Sequence, residues 1–310
     1  MIYHGLEDFA PLRNAIVTIG TFDGVHLGHQ KILKRLSSVA QRIGGETVLL
    51  TFWPHPRIVL DPDFDLKLLT TMEEKAALLE KFGIDHLVRI RFTEEFADLS
   101  SEEYIRRVLV EKIGTKKLVI GHDHRFGKNR VGNFADLVAK GIVYGFEVEE
   151  IPKQEIDDIT ISSTRIRHAL NEGNIHIGNE YLGRAYSITG KVIKGDELGR
   201  KIGFPTANIT VNSQHKLIPC DGSYAVQISF PTENRLFSGM MNMGYRPTVD
   251  GRKHTIEVHI FNFDETIYGK TLTISFLKLI RREEKFDSLE DLKIQLQKDK
   301  LLAQQILKSN

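Results

Sequence analysis

Ala15-Ile16-Val17-Thr18-Ile19-Gly20-Thr21-Phe22-Asp23-Gly24-Val25-His26-Leu27-Gly28-His29 is the stretch on which the first half of the fold turns. Ala15 to Gly20 is a short apolar run closed by a glycine, the pattern of a strand buried in a sheet. From Leu27 onward Ile32, Leu33, Leu36, Val39, Ala40 and Ile43 recur at helical spacing. The loop Gly20 to His29 therefore joins a strand to a helix N-terminus, where unpaired backbone N–H groups and the helix dipole favour an anion such as phosphate. Gly20, Gly24 and Gly28 permit tight turns and a close backbone approach to a ligand. His26 and His29 fall on one face of the first helical turn, so two imidazoles can flank that anion. Taken as two histidines alone, the pair is equally a chance feature of a solvated turn or part of a metal site.

Working outward, Glu46 to Phe52 (ETVLLTF) follows Gly44-Gly45 as a second apolar strand. Further strands at Leu87 to Ile90 and Leu118 to Ile120 alternate with helical patterns such as Glu73 to Phe82, an alternation that predicts a parallel α/β sheet. After about Asn179 the texture changes. Short alternating runs, Ser223 to Phe230, Thr255 to Phe261 and Thr271 to Leu277, are separated by Gly, Pro, Asn and Asp, which predicts an antiparallel barrel or sandwich. Beyond Arg282, Ser288 caps a last helix with Leu289, Leu292 and Leu296 on one face. The boundary is expected between residues 173 and 185, giving domains 1–180 and 185–310, and neither an internal repeat nor a low-complexity tract interrupts them.

The totals agree with two domains, since 310 residues are about twice the ~150 that serve as a prior for one. A formal charge of +1, from 42 basic and 41 acidic residues, provides no general electrostatic footprint for nucleic acid or an anionic membrane, so the expected partners are small molecules. Cys220 is a single cysteine and the start MIYHGLEDFAPL lacks the layout of a secretion signal, which points to the reducing cytoplasm. No apolar run approaches the ~20 residues of a transmembrane helix. The oligomeric state is left open.

In the second half, Gly190-Lys191-Val192-Ile193-Lys194-Gly195 leads into Gly199-Arg200-Lys201-Ile202-Gly203-Phe204-Pro205-Thr206-Ala207-Asn208-Ile209, a glycine-rich and basic approach to a polar turn. Thr206 and Asn208 offer hard oxygen donors that suit Mg²⁺, although by itself Pro-Thr-Ala-Asn also reads as a plain turn. In Thr255 to Phe261 the side chains alternate: Ile256, Val258 and Ile260 share one face, Glu257 and His259 the other, about 6 to 7 Å apart. That pair presents a carboxylate beside an imidazole, or simply the wet polar face of a half-buried strand.

The Gly20–His29 loop resembles the HxGH signature of the nucleotidyltransferase superfamily, whose histidines hold ATP phosphates without a covalent intermediate. Three later segments extend the likeness: Thr51-Phe52-Trp53-Pro54-His55-Pro56, Gly121-His122-Asp123-His124-Arg125-Phe126-Gly127 and Ile161-Ser162-Ser163-Thr164-Arg165-Ile166-Arg167. Together they resemble the adenylyltransferase domain of bacterial bifunctional riboflavin kinase/FMN adenylyltransferases (FAD synthetases). The resemblance implies a Rossmann-like parallel sheet, His26 and His29 as catalytic residues, and ATP contacts from Gly20, Phe22, Asp23, Gly24, His26, His29, Asp123, Ser163, Thr164 and Arg167. Arginine is chemically apt, since its planar donors bind phosphate oxygens bidentately. The Ser-Ser-Thr hydroxyls also suit a helix cap. One departure is His124, where the family usually has an aromatic residue.

Gly199–Ile209, Gly222-Ser223-Tyr224-Ala225-Val226, Gly239–Thr248, Ile256–Phe263 and Tyr268-Gly269 together resemble riboflavin kinase. The likeness implies a six-stranded antiparallel β-barrel with a C-terminal helix. It further implies ATP and Mg²⁺ at Gly195, Gly203, Thr206 and Asn208, the metal on Thr206 and Asn208, and Glu257 as the base on the riboflavin 5′-hydroxyl. Glu265-Thr266-Ile267 departs from the acidic-then-aliphatic pair usual before Tyr268. The implied chemistry is riboflavin and ATP to FMN and ADP, then FMN and ATP to FAD and pyrophosphate. Alternatives are another HxGH enzyme, such as a coenzyme A pathway adenylyltransferase or an aminoacyl-tRNA synthetase, and a non-catalytic flavin-binding module. The barrel motifs weigh against the former, and the presence of His26, His29, Thr206, Asn208 and Glu257 against the latter.

Overall fold

Ala15–Ile19 is buried at every position because it lies inside a parallel sheet covered on both faces. The computed structural model describes residues 1–61, 63–122, 124–152, 161–195, 198–231, 233, 235–248 and 251–309. By its contacts the chain divides into two units, Met1–Ser163 and Thr164–Asn310.

In the first unit the strands are β1 (Ile2–Tyr3), β2 (Ala15–Ile19), β3 (Glu46–Trp53), β4 (His86–Arg91), β5 (Thr115–Gly121) and β6 (Glu147–Ile151). They pair in the order β1-β4-β3-β2-β5-β6, every pairing parallel. The expected strands are there, β2 one residue shorter than its run and β3, β4 and β5 somewhat longer than theirs; β1 and β6 are additions at the two edges. Alternation divides the side chains of β2 between two cores: Ala15, Val17 and Ile19 pack with Val48, Leu50 and Val88, while Ile16 packs with Leu33, Leu36 and Leu49. Leu27–Ile43 forms the first helix, ended by Gly44 at φ 62° and ψ 40°, a left-handed turn that glycine adopts at little cost. Because β3 lies on one side of β2 and β5 on the other, the loops leaving β2 and β5 diverge. The carboxyl ends of the strands at that divergence are the usual ligand position in such sheets.

The second unit opens with two helices, Ser163–Asn171 (whose first residue belongs to the first unit) and Ile175–Leu182. Asn179 ties them to the barrel strands, donating to the Phe276 carbonyl at 2.9 Å and accepting from the Tyr186 N–H at 2.7 Å. The strands β7 (Tyr186–Ile193), β8 (Ala207–Thr210), β9 (Gly222–Ser229), β10 (Leu236–Thr248), β11 (Gly251–Ile260) and β12 (Thr271–Arg282) close an antiparallel barrel in the order β10-β11-β8-β7-β12-β9. Tyr186, Ile188, Tyr224, Ile228, Met241, Val258, Ile274 and Phe276 are buried within it. Leu289–Lys308 is the C-terminal helix, capped by Ser288, whose side chain accepts from the Asp291 N–H.

Two sequence expectations change in register. Leu289 is 57% exposed, so the buried stripe of the last helix is carried instead by Asp299 and Ala303, with Leu296 and Ile306 beside them. On β11 the face opposite Ile256, Val258 and Ile260 is only partly wet: His259 is 7% exposed, with its ring edge-on to Phe204 and Phe261 and its Nδ1 2.8 Å from the Pro205 carbonyl. The C-terminal helix and the Phe204 loop cover that part of the strand.

Candidate functional site

His26 is the N-cap of the Leu27–Ile43 helix, and its Nδ1 accepts from the His29 backbone N–H at 3.4 Å. With Nδ1 used as an acceptor, the proton of the neutral ring sits on Nε2. The imidazoles of His26 and His29 stack, centroids 3.6 Å apart and planes 18° from parallel, and Phe22 meets His29 on the far side at 4.7 Å. His29 Nδ1 is buried with no hydrogen-bond partner among the described residues, the state of a donor or acceptor that a ligand completes. Burial first, then the charges of His26 and Lys75, hold the His29 imidazole well below its usual range.

The loop before the helix is strained. Phe22 and Val25 have φ of 45° and 42°, in the left-handed region that bulky and β-branched residues avoid, and Gly24 lies at 82°. Asp23 holds the loop in this form. Only 2% exposed, its carboxylate accepts from the Leu69 N–H at 2.9 Å and the Thr70 N–H at 3.2 Å, while Gly24 N–H donates to Thr70 Oγ1 at 3.1 Å. Ser163 adds a further tie, its hydroxyl donating to the Asp23 carbonyl at 2.9 Å. Asp23 and Ser163 thus brace the loop, with Gly20 against the Phe22 ring at its start. Thr164 is exposed and Arg167 half-buried on the helix that follows. Asp123 lies outside the described residues. Its neighbour His124 stacks on Phe126 at 5.9 Å and 19°, so a flat ring occupies the position where an aromatic residue was expected.

Two residues of this site escaped the sequence reading, Thr70 and Lys75, and Thr51 stood there only as the first residue of a resembling segment, with no role. Lys75 is 7% exposed, and its Nζ donates to the Thr21 carbonyl at 2.7 Å and to Thr51 Oγ1 at 3.5 Å. Burial pulls its pKa down to about 8, against the opposing pull of Asp23. Thr71 and Glu74 form a reciprocal capping box just before it, the only sequence signal in the neighbourhood, and it marks a helix start rather than a site.

In the barrel, Asn208 on β8 and Glu257 on β11 are Cα partners across an antiparallel pair, so their side chains emerge on the same face. A β-carbon on Gly195 would overlap the Asn208 amide, which accounts for glycine there by close approach; Gly203 is required by its φ of 87°. Thr206 stands two residues before Asn208, beside Gly199. Thr206 also lines a cleft of about 400 Å³ with Arg200, Glu265 and Tyr268, a volume in the range of small-molecule sites. The Glu265–Ile267 segment that departs from the family pattern is therefore part of the cleft wall. Thr206 and Asn208 carry side-chain oxygens of the hard kind that suits Mg²⁺. Mg²⁺ ordinarily completes its shell with water and phosphate oxygens, and among the described residues no group of three or more His, Cys, Asp and Glu is arranged to hold a metal.

Comparison with known proteins matches both halves. The family described as FAD synthetase matches residues 9–165, and that described as riboflavin kinase matches residues 182–307. The chain is 40% identical over 288 residues to a bifunctional riboflavin kinase/FMN adenylyltransferase of Haemophilus influenzae, covering 93% of this chain and 92% of the relative. To the protein of that description from Escherichia coli K12 it is 36% identical over 302 residues, covering 97% and 95%. A solved chain described as a macrolide-efflux protein from Streptococcus pneumoniae shares the fold at a TM-score of 0.88 and 30% identity, covering 98% of each chain. Among the described residues no helix is long and apolar enough to cross a membrane.

Proposed function

The chain belongs to the family of bifunctional riboflavin kinase/FMN adenylyltransferases, and from this premise we propose how its residues divide the work. It is a two-step flavin enzyme: riboflavin is phosphorylated to FMN, and FMN is adenylylated to FAD. ATP is the donor in both steps, giving ADP in the first and pyrophosphate in the second.

In the barrel, Glu257 accepts the proton of the riboflavin 5′-hydroxyl as that oxygen attacks the γ-phosphorus and ADP departs. A positioned base contributes ~10²- to 10⁴-fold to such a step. Thr206 and Asn208 would hold Mg²⁺, which supplies neutralisation of phosphate charge when bound. The observation that carries this reading is the direct pairing of Asn208 with Glu257, which sets a metal-suited oxygen beside the proton acceptor. Gly195 and Gly203 let the backbone approach the nucleotide.

In the parallel-sheet unit, an FMN phosphate oxygen attacks the α-phosphorus of ATP and pyrophosphate leaves. His26 and His29 donate to the phosphates at the helix N-terminus, where negative charge grows in the transition state. Gly20, Phe22, Asp23, Gly24 and Ser163 keep the loop in the conformation that presents them. The roles of Asp123, Thr164 and Arg167 at the phosphates rest on the family resemblance alone. The partners are small molecules, the expected compartment is the cytoplasm, and neither nucleic acid nor a membrane enters the reaction.

Incubation of the purified chain with riboflavin, ATP and Mg²⁺, with FMN and FAD resolved by chromatography, tests the assignment. Both products should accumulate in sequence; the absence of both would leave a flavin-binding module.

A further inference from the structure

A lysine ammonium is seldom buried, since leaving water is costly unless strong partners compensate. Lys75 nevertheless stands inside the first unit, on the helix Met72–Lys81, with its hydrogen bonds directed to two neutral oxygens. One of these, the Thr21 carbonyl, begins the strained turn that carries Phe22, Gly24 and Val25. The other, Thr51 Oγ1, itself donates to that carbonyl at 3.3 Å. Three atoms thus close a triangle under the loop. The charges acting on His29 are those of His26 and Lys75, and Asp23 in the loop is the counter-charge acting on Lys75.

We propose that Lys75 is a positioning residue for adenylyl transfer: its ammonium fixes the Thr21 carbonyl and Thr51 hydroxyl beneath the loop and supplies the standing positive charge of the phosphate site. The inference rests on the reading of this unit as the adenylyltransferase. A purely apolar prop could hold the turn, but it would add no attraction for a polyphosphate and would exert no field on the histidines. Burial holds the His29 imidazole well below its usual range and the charges of His26 and Lys75 add to that, so His29 meets the phosphates as a neutral N–H donor.

The test uses the full chain and follows FMN adenylylation, with riboflavin phosphorylation in the same sample as reference. Lys75→Met should lower kcat for FMN adenylylation by about 10²-fold, the scale of a misplaced reacting group, and leave riboflavin phosphorylation unchanged. Lys75→Arg should recover part of the rate. The limb of the pH profile that reports His29 should move to higher pH in Lys75→Met, because a repelling charge is gone, and stay near its wild-type position in Lys75→Arg. A wild-type rate in Lys75→Met, or a slower rate with an unmoved limb, would overturn the proposal. Should Lys75→Met not fold, an NMR titration of His29 in the wild-type chain decides: an imidazole titrating in the ordinary range removes the charge role. If the wild-type chain makes no FAD from FMN, the adenylyltransferase reading fails and the inference with it. A wild-type chain that makes FAD beside an unimpaired Lys75→Met sinks the inference alone.

Discussion

At the scale of single residues, the two proposed chemistries separate because His26 and His29 lie in the first unit and Thr206, Asn208 and Glu257 in the second. Thr164 and Arg167, which the resemblance gives to the adenylyltransferase, also fall in the second unit. Glu257→Gln keeps the shape of the side chain and removes its proton affinity, so riboflavin phosphorylation should fall about 10²- to 10⁴-fold. Adenylylation of supplied FMN should persist, and a near-normal riboflavin rate would take Glu257 out of the mechanism. His259, next in line on that face, is a poor substitute: it is buried, its Nδ1 is engaged at Pro205, and desolvation holds its pKa down. His26→Ala combined with His29→Ala should abolish FAD formation while FMN accumulates from riboflavin. Equal loss of both activities in a folded protein would refute the separation. Asp23 illustrates how an acidic residue in a phosphate loop serves by bracing: its carboxylate is spent on the Leu69 and Thr70 N–H groups.

At the scale of elements, the strand pairs and the helix that covers them set the barrel site. Gly195 lies against the Asn208 amide with no room for a β-carbon, so Gly195→Ala should displace Asn208 and slow riboflavin phosphorylation without touching FMN adenylylation. An unchanged kinase KM for ATP and kcat would show that the loop gives way freely. The C-terminal helix is fastened through Asp299, fully buried, whose carboxylate accepts from Arg281 Nε at 3.0 Å and from its Nη2 at 2.9 Å, with Gln295 donating at 2.8 Å. Removing one partner of a buried pair strands the other, so Asp299→Ala should destabilise the barrel unit by roughly 3 to 5 kcal/mol. Trp53 is the single tryptophan and belongs to the first unit, which makes the effect separable. The far-UV circular dichroism transition should move to lower denaturant while the tryptophan fluorescence transition stays.

At the scale of the whole molecule, the division into units predicts that each activity survives alone. Residues 1–180 should convert FMN, but not riboflavin, to FAD; riboflavin turnover by that piece would reverse the assignment. For the barrel the place of the cut matters. A piece spanning 164–310 retains Asn179 and its bonds to Tyr186 and Phe276, along with the Cys220 N–H donated to the Leu170 carbonyl, whereas 185–310 loses all of them. The longer piece should therefore melt at the higher temperature in differential scanning calorimetry, and equal melting would mean that the two helices contribute nothing to the barrel.

By itself the sequence determined what neighbours along the chain determine: a strand running into a glycine loop and a helix N-terminus, the parity that puts Glu257 and His259 opposite Ile256 and Val258, and the Ser288 cap. These features arise from local periods of 3.6 and 2 and from capping chemistry, which act over a few residues. Local periods placed His26 and His29 at a helix start, Thr206 and Asn208 in a turn and Glu257 on a strand face, and the resemblance to a family supplied the roles proposed for them. Tertiary structure alone decided that Asn208 and Glu257 meet, because strand register is fixed by how two distant apolar faces fit the barrel interior. It also decided that Leu289 is exposed while Asp299 is buried, since which face of a helix is covered depends on what lies beneath it. Lys75 shows the limit most plainly: a lysine in a capped helix reads as surface, and only the tertiary fold buries its ammonium against the Thr21 carbonyl.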